Sequence, residues 1–155
     1  MKKEFMLRAI ELSRKNMQSG AGGPFGAVIV KDGKVIGEGW NKVTSTNDPT
    51  AHAEVTAIRE ACASIKNFSL DGAEIYTSCE PCPMCLAAIY WSRLSKIYYA
   101  NTRQDAAEIK FDDDFLYNEI PKDISLRKIP MVQCAHQEAL EVFKEWEKKT
   151  DRIPY

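Results

Sequence analysis

The chain has 155 residues, of which 45% are hydrophobic, and such a chain is expected to form one compact domain with a full core. A formal net charge of -1 gives no sign of the strongly basic face that nucleic-acid binding favours, so a small ligand is expected. Five cysteines, without a recognisable signal peptide or long apolar span, predict a reduced, cytoplasmic protein with no membrane partner.

The first predicted elements are a helix and a hairpin. Apolar residues recur every three or four positions over residues 3–19, which predicts an amphipathic helix. Residues 25–31 and 34–40 are rich in β-forming side chains, and Asp32-Gly33 between them is typical of a tight hairpin turn. The polar residues 44–48 that follow are expected to form an irregular loop.

Helices and strands are expected to alternate in the rest of the chain. A helix over residues 51–65 is expected to begin at a cap of Thr50 or Asp48 and to bury the stripe Val55, Ile58, Cys62 and Ile65. A strand over residues 73–78, a helix from Pro83 to Trp91, a strand over 96–100 and a helix over 137–149 follow. This order predicts a mixed sheet with helices on both faces.

Two short motifs predict a zinc site. Cys82 and Cys85 are three positions apart and lie on one face of a helix that begins near Pro83, so both thiols can reach one ion. On a regular helix His52 and Glu54 would point about 200° apart, so both are not expected to be ligands. One imidazole and two thiolates leave a tetrahedral position open for water, which is typical of a catalytic site. We therefore expect one Zn²⁺ per chain, with Glu54 as the proton carrier.

Three stretches resemble a known family: Gly-Pro-Phe-Gly-Ala-Val-Ile-Val over residues 23–30, residues 47–55, and residues 76–85. The last two hold the His-x-Glu and Pro-Cys-x-x-Cys pattern of zinc nucleobase deaminases. Along nearly its whole length the sequence resembles the bacterial guanine deaminases of the cytidine deaminase superfamily. The resemblance implies a three-layer α/β/α sandwich with a mixed five-stranded sheet.

The resemblance also implies substrate contacts. It assigns Asn41, Asp113 and the backbone N–H of Ala53 to the substrate, and Phe25 is expected to pack on the purine face. In the family the carboxy-terminal segment, here about 149–155, crosses to a dimer partner, which makes Tyr155 a contact in the partner's site. Ordinary structural roles stay open for these residues: a turn for Asn41, core packing for Phe25, and a solvated acidic run for Asp113. The family has Gly where this chain has Lys110.

The implied reaction is the hydrolytic deamination of free guanine to xanthine and ammonia. A zinc-bound hydroxide is expected to attack C2, and Glu54 to carry the proton to a ring nitrogen and then to the leaving amine. A transfer-RNA adenosine deaminase and a cytosine or cytidine deaminase, which use the same zinc site, stay open. A zinc-stabilised interaction domain without catalysis is a further alternative, and it would need a fourth ligand such as Cys79 or His136.

Overall fold

The computed structural model describes residues 2–155, and the chain divides into two units. The first ends at Asp113 and the second is Asp114–Tyr155; a single domain over the whole chain stays a prediction. None of the helices in the described range combines the length and the apolar character that crossing a membrane requires.

The first unit contains the alternating helices and strands that the sequence predicts, with ends shifted by one or two residues. They are α1 (Lys3–Gln18), β1 (Gly26–Lys31), β2 (Lys34–Trp40), α2 (Val43–Thr46), α3 (Ala53–Ile65), β3 (Glu74–Cys79), α4 (Pro83–Trp91), β4 (Lys96–Asn101) and α5 (Arg103–Glu108). The predicted hairpin is confirmed: Lys31 pairs with Lys34, and Asp32 and Gly33 have φ angles of 51° and 74°. Both positive angles match the turn that follows the twist of a hairpin.

The strands form one mixed sheet in the order β2-β1-β3-β4. β1 is antiparallel to β2 and β3, and β3 is parallel to β4. The implied five strands are wrong for this structure, because the sheet has four strands among the described residues. After β4 the chain enters helices and a segment with Pro121 and Pro130, which lack the N–H that a strand needs for pairing.

Helices cover both faces of the sheet, as predicted for a three-layer sandwich. Side chains of β1 alternate between two cores: Ala27 and Ile29 belong to the core that includes residues of α3 and α4. Val28 and Val30 belong to the core formed with α1. This alternation follows from the two-residue period of a strand.

The predicted inner stripe of α3 is wrong in part, because Ile58, Cys62 and Ile65 pack against the core without being its most buried row. Its fully buried row is Ala53, Ala57 and Ala61, whereas the predicted residues are only partly buried, namely Val55, Ile58, Cys62 and Ile65. The reason is the close approach of α3 to glycines of β2. A Cβ atom added to Gly39 would lie 2.2 Å from the Ala53 carbonyl oxygen, and one added to Gly37 would lie 2.6 Å from that of Ala57. Only small residues fit between these two backbones.

The expected irregular loop at residues 44–48 is also wrong in part, because α2 forms there. The Thr46 hydroxyl donates to the Lys42 carbonyl oxygen over 2.8 Å, and the turn ends at Asn47, whose φ angle is 52°. Asn adopts this left-handed conformation more easily than most residues, so a short polar helix ends there.

The second unit holds α6 (Asp114–Glu119), a 3₁₀ helix (Ile124–Leu126) and α7 (His136–Lys148). The predicted carboxy-terminal helix is confirmed within one residue at each end. Many apolar side chains of the second unit are exposed; Val132 and Phe143, for example, are 86% and 74% exposed.

Candidate active site

Three side chains at the beginnings of α3 and α4 form a candidate metal centre. His52 is the residue before the first turn of α3, and Cys82 has the same place before α4. His52 Nδ1 lies 3.6 Å from Cys82 Sγ and 3.5 Å from Cys85 Sγ. Nitrogen and sulfur ligands of tetrahedral zinc are about 3.6 Å apart when each lies at its usual distance from the ion. The donor set and its spacing therefore fit one zinc ion.

The cap of α3 differs from the prediction, whereas Pro83 lies in the first turn of α4 as expected. Asp48 Oδ1 accepts bonds from the backbone N–H and the hydroxyl of Thr50, so these two residues form a turn before α3 rather than its cap. His52 stands at the capping position with an extended backbone. The expected angle of about 200° between His52 and Glu54 assumed a regular helix and does not apply. The different surroundings of the two side chains separate their roles instead.

The two thiols have opposite proton affinities. Hydrogen bonding to the Cys85 thiol, with a further contribution from His52, lowers the pKa of Cys82 to about 4. The same hydrogen bond, together with burial, raises the pKa of Cys85 above its usual range. The lowered pKa of Cys82 favours its thiolate, which is the metal-binding form of cysteine.

Glu54 is buried in the first turn of α3, with 6% of its surface exposed. The Thr77 hydroxyl donates to its Oε1 over 3.0 Å. Burial raises the pKa of Glu54 above its ordinary value, because a charged carboxylate loses its hydration. A carboxyl group with a pKa closer to neutrality is suited both to take up and to release a proton.

A cavity of about 460 Å³ lies beside these residues, within the range of pockets that bind small molecules. It brings together most of the residues that the sequence pointed to, since its lining includes Phe25, Asn41, His52, Glu54, Cys82 and Asp113. The backbone N–H of Ala53 belongs to the first residue of α3, a position whose N–H has no partner within the helix. Tyr155 lies in the second unit, so its role stays a prediction.

The side-chain oxygen of Asn41 is hydrogen-bonded within the protein. The Asn41 side chain is buried, and its Oδ1 accepts the N–H groups of Gly23 over 3.3 Å and of Val43 over 3.2 Å. A carbonyl oxygen has two lone pairs, so both are used by the protein. The amide NH₂ is the part of the side chain that remains for a ligand.

Asp113 follows a turn that is stabilised by an aromatic contact. Phe111 packs edge-on against Phe25 with ring centroids 5.0 Å apart. Lys110 has a φ angle of 71°, a left-handed conformation that glycine adopts without strain. The backbone at Lys110 therefore has the conformation that glycine would favour at this position. Burial raises the pKa of Asp113. Asp113 is partly buried in the cavity lining, whereas Asp112 and Asp114 are exposed.

Sequence reasoning missed Thr77, Glu80, Arg103 and Phe111. Glu80, Arg103 and Phe111 line the cavity, and the Glu80 carboxylate accepts the backbone N–H of Arg103 over 3.1 Å. Glu80 lies inside the Cys-Glu-Pro-Cys motif, which was a usable signal. Arg103 carried no such signal, because β4 and α5 bring it to the cavity from another part of the chain.

Known proteins resemble this chain in both sequence and structure. Residues 1–101 match the family of the cytidine and deoxycytidylate deaminase zinc-binding region. A guanine deaminase of Bacillus subtilis is 52% identical over 151 residues, which cover 97% of each chain. An X-ray structure of the guanine deaminase from Bacillus subtilis superposes with a TM-score of 0.97 at 51% identity, covering 100% of this chain and 99% of the other. A tRNA-specific adenosine deaminase of Buchnera aphidicola is 38% identical over 72% of this chain and 75% of its own. With its His52, Cys82 and Cys85 cluster, the chain belongs to the cytidine and deoxycytidylate deaminase zinc-binding family.

Proposed function

We propose that this protein is a zinc-dependent guanine deaminase that hydrolyses free guanine to xanthine and ammonia. The observation that carries the proposal is the fit of a three-ligand metal cluster beside a buried carboxyl group and a cavity of about 460 Å³. Similarity to the Bacillus subtilis guanine deaminase over 97% of the chain selects guanine among the substrates of such sites.

The metal and one carboxyl group supply the chemistry. Bound by His52, Cys82 and Cys85, zinc supplies an open coordination position and lowers the pKa of water there, which makes a nucleophile available near neutral pH. Glu54 takes one proton from the attacking water and gives it to a ring nitrogen, and it then carries the second proton of that water to the leaving amine. The carboxyl group regains its starting state in each turnover, so one residue acts as both base and acid.

Groups around the cavity complement the edges of guanine. The Asn41 amide offers N–H donors to acceptor atoms of the base, and the Ala53 backbone N–H is suited to its carbonyl oxygen. Asp113 accepts from ring or exocyclic N–H groups. Phe25, supported by Phe111, packs on the purine face. With these donors and acceptors, the pocket favours a base that carries both hydrogen-bond acceptors and hydrogen-bond donors.

Three alternatives to guanine deamination make different demands on the protein: deamination of tRNA adenosine, deamination of cytosine or cytidine, and a zinc domain without catalysis. A tRNA adenosine deaminase is supported by the 38% identity to such an enzyme, but a formal net charge of -1 disfavours RNA binding. Cytosine and cytidine also remain open. A non-catalytic zinc domain would use a fourth protein ligand. The Cys79 thiol instead contacts the Thr102 carbonyl oxygen, and the metal cluster comprises three side chains within the described chain.

We also expect a cytoplasmic homodimer in which residues 149–155 of one subunit close the site of the other through Tyr155. The exposed apolar side chains of the second unit support this, since Leu126, Ile129 and Val132 are 71%, 74% and 86% exposed. Patches of this kind usually mark a surface that another chain covers.

Parallel ammonia-release assays test the proposal with guanine, guanosine, cytosine, cytidine and an adenosine-containing tRNA stem-loop. Guanine alone should yield ammonia, with xanthine as the other product; turnover of a different substrate would contradict the assignment. Glu54→Gln should retain zinc and lose about 100- to 10,000-fold in turnover. Glu60→Gln, on the same helix but exposed, is the matched control.

A further inference from the structure

Thr77 is a buried polar residue for which the reaction described above has no role. It lies on β3, and 1% of its surface is exposed. On the same face of the strand, Ile75 belongs to the apolar core and Cys79 lines the cavity. A buried hydroxyl needs a hydrogen-bond partner, and the partner of Thr77 is Glu54 Oε1, 3.0 Å away.

Glu54 depends on such a contact because proton transfer requires a fixed carboxylate. Besides Thr77, the side chain that hydrogen-bonds Glu54 is Cys85. A cysteine that binds a metal does so as a thiolate and has no proton to donate. In the metal-bound protein, Thr77 is therefore the side chain that continues to donate to the Glu54 carboxylate, beside the backbone N–H of Glu54 itself.

The geometry points to Thr77 as a positioning residue for deamination: its hydroxyl holds the Glu54 carboxylate in the orientation that proton transfer requires. The inference rests on the proposed function. β3 suits this task because it is paired on both sides, with β1 and with β4. A site group supported by a central strand is held more rigidly than one supported by a loop.

Two variants of Thr77 and one control separate this role from a general effect on packing. Thr77→Val keeps the shape but removes the hydroxyl, and Thr77→Ser keeps the hydroxyl. Ser92→Ala is the control, because its buried hydroxyl also donates a hydrogen bond, over 3.0 Å to the Ile89 carbonyl oxygen. Zinc content, kcat, KM and thermal unfolding are measured for each protein.

The expected result is a kcat for Thr77→Val that is about 10- to 100-fold lower, with KM and zinc content unchanged, as for a misplaced catalytic group. Thr77→Ser should restore kcat to within about three-fold of wild type, since it restores the hydrogen bond to Glu54. Ser92→Ala should change stability without changing kcat. Equal losses in Thr77→Val and Thr77→Ser would overturn the inference, and so would an unchanged kcat in Thr77→Val.

A second readout does not depend on turnover. In the zinc-loaded protein, the effects of Thr77→Val and Glu54→Ala on the unfolding midpoint should not add, because the two residues share one hydrogen bond. Additive effects would contradict the contact. If the wild-type protein released no ammonia from guanine, the proposed function itself would be contradicted. An active wild type with an unimpaired Thr77→Val would defeat only the role of Thr77.

Discussion

Replacing Gly39 by alanine tests how closely α3 must approach the sheet. The added Cβ would lie 2.2 Å from the Ala53 carbonyl oxygen and 2.4 Å from the Ala57 backbone nitrogen. Both atoms belong to the helix backbone, so no side-chain rotation relieves the overlap. To lengthen a contact of 2.2 Å beyond 3.0 Å, α3 must move away by roughly 1 Å, since nonbonded heavy atoms repel steeply at short range.

This displacement should affect both stability and turnover. Overpacking a core lowers the free energy of unfolding by about 1–3 kcal/mol. Because the contact is with rigid backbone, we expect Gly39→Ala to cost about 3 kcal/mol. The burial of one methyl group offsets at most about 0.8 kcal/mol. The first turn of α3 carries Ala53 and Glu54, and a misplacement of 1 Å lowers turnover by about 100-fold.

Urea unfolding and guanine turnover measure the two effects, with Gly37→Ala as the matched variant. A Cβ at Gly37 would meet the Ala57 carbonyl oxygen at 2.6 Å and the Ala61 nitrogen at 2.7 Å, one turn further from Glu54. It should cost a similar free energy of unfolding and a smaller loss of turnover. If Gly39→Ala unfolded at the wild-type urea concentration and turned over guanine normally, the close packing of α3 on β2 would be refuted.

The ion pair between α1 and β2 should make stability depend on pH. Two hydrogen bonds from Arg8, 2.7 and 2.8 Å long, hold the pKa of Glu38 below its ordinary value. A carboxyl group whose pKa falls on folding stabilises the protein above its unfolded pKa, and this gain is lost as pH falls through the lowered value. Glu38→Gln should therefore cost up to about 1 kcal/mol at neutral pH and less in acid, as urea unfolding at both pH values would show; an equal cost at both would contradict this. Lys110→Gly should raise the free energy of unfolding by up to about 1 kcal/mol, because it removes a left-handed lysine; a lower melting temperature would contradict it. A chelator should lower the melting temperature and abolish turnover, and added zinc should restore both; an unchanged melting temperature would argue against a bound metal.

The residues of the metal cluster were predictable because zinc ligation restricts both residue type and spacing. Cys82 and Cys85 had to share a helix face, and His52 supplied the one additional nitrogen. The hairpin was predictable for a similar local reason, since Asp32-Gly33 accommodates the two positive φ angles of its turn. For the two cysteines and for the hairpin, the deciding interaction lies within a few residues along the chain.

The inner face of α3 was not predictable from its own apolar residues. Periodicity favours the large side chains, but the face next to β2 is selected by how near the backbones approach. That distance is set by Gly37 and Gly39, which belong to another element. The donor character of Asn41 was hidden for the same reason, because the backbone N–H of Gly23 across a loop occupies its oxygen.

The zinc ligands come from two helices that pack against each other, α3 and α4, so neither motif by itself assembles the site. His52 moves with α3, whereas Cys82 and Cys85 move with α4. Their sulfur and nitrogen atoms lie within 4.8 Å of one another, where α3 packs both on Gly37 and Gly39 of β2 and against α4. Larger residues at these two positions would keep every ligand and Glu54, yet they should displace α3 and move His52 relative to Cys82 and Cys85. In this chain, a working site therefore depends on the small residues of β2 as well as on the zinc motifs.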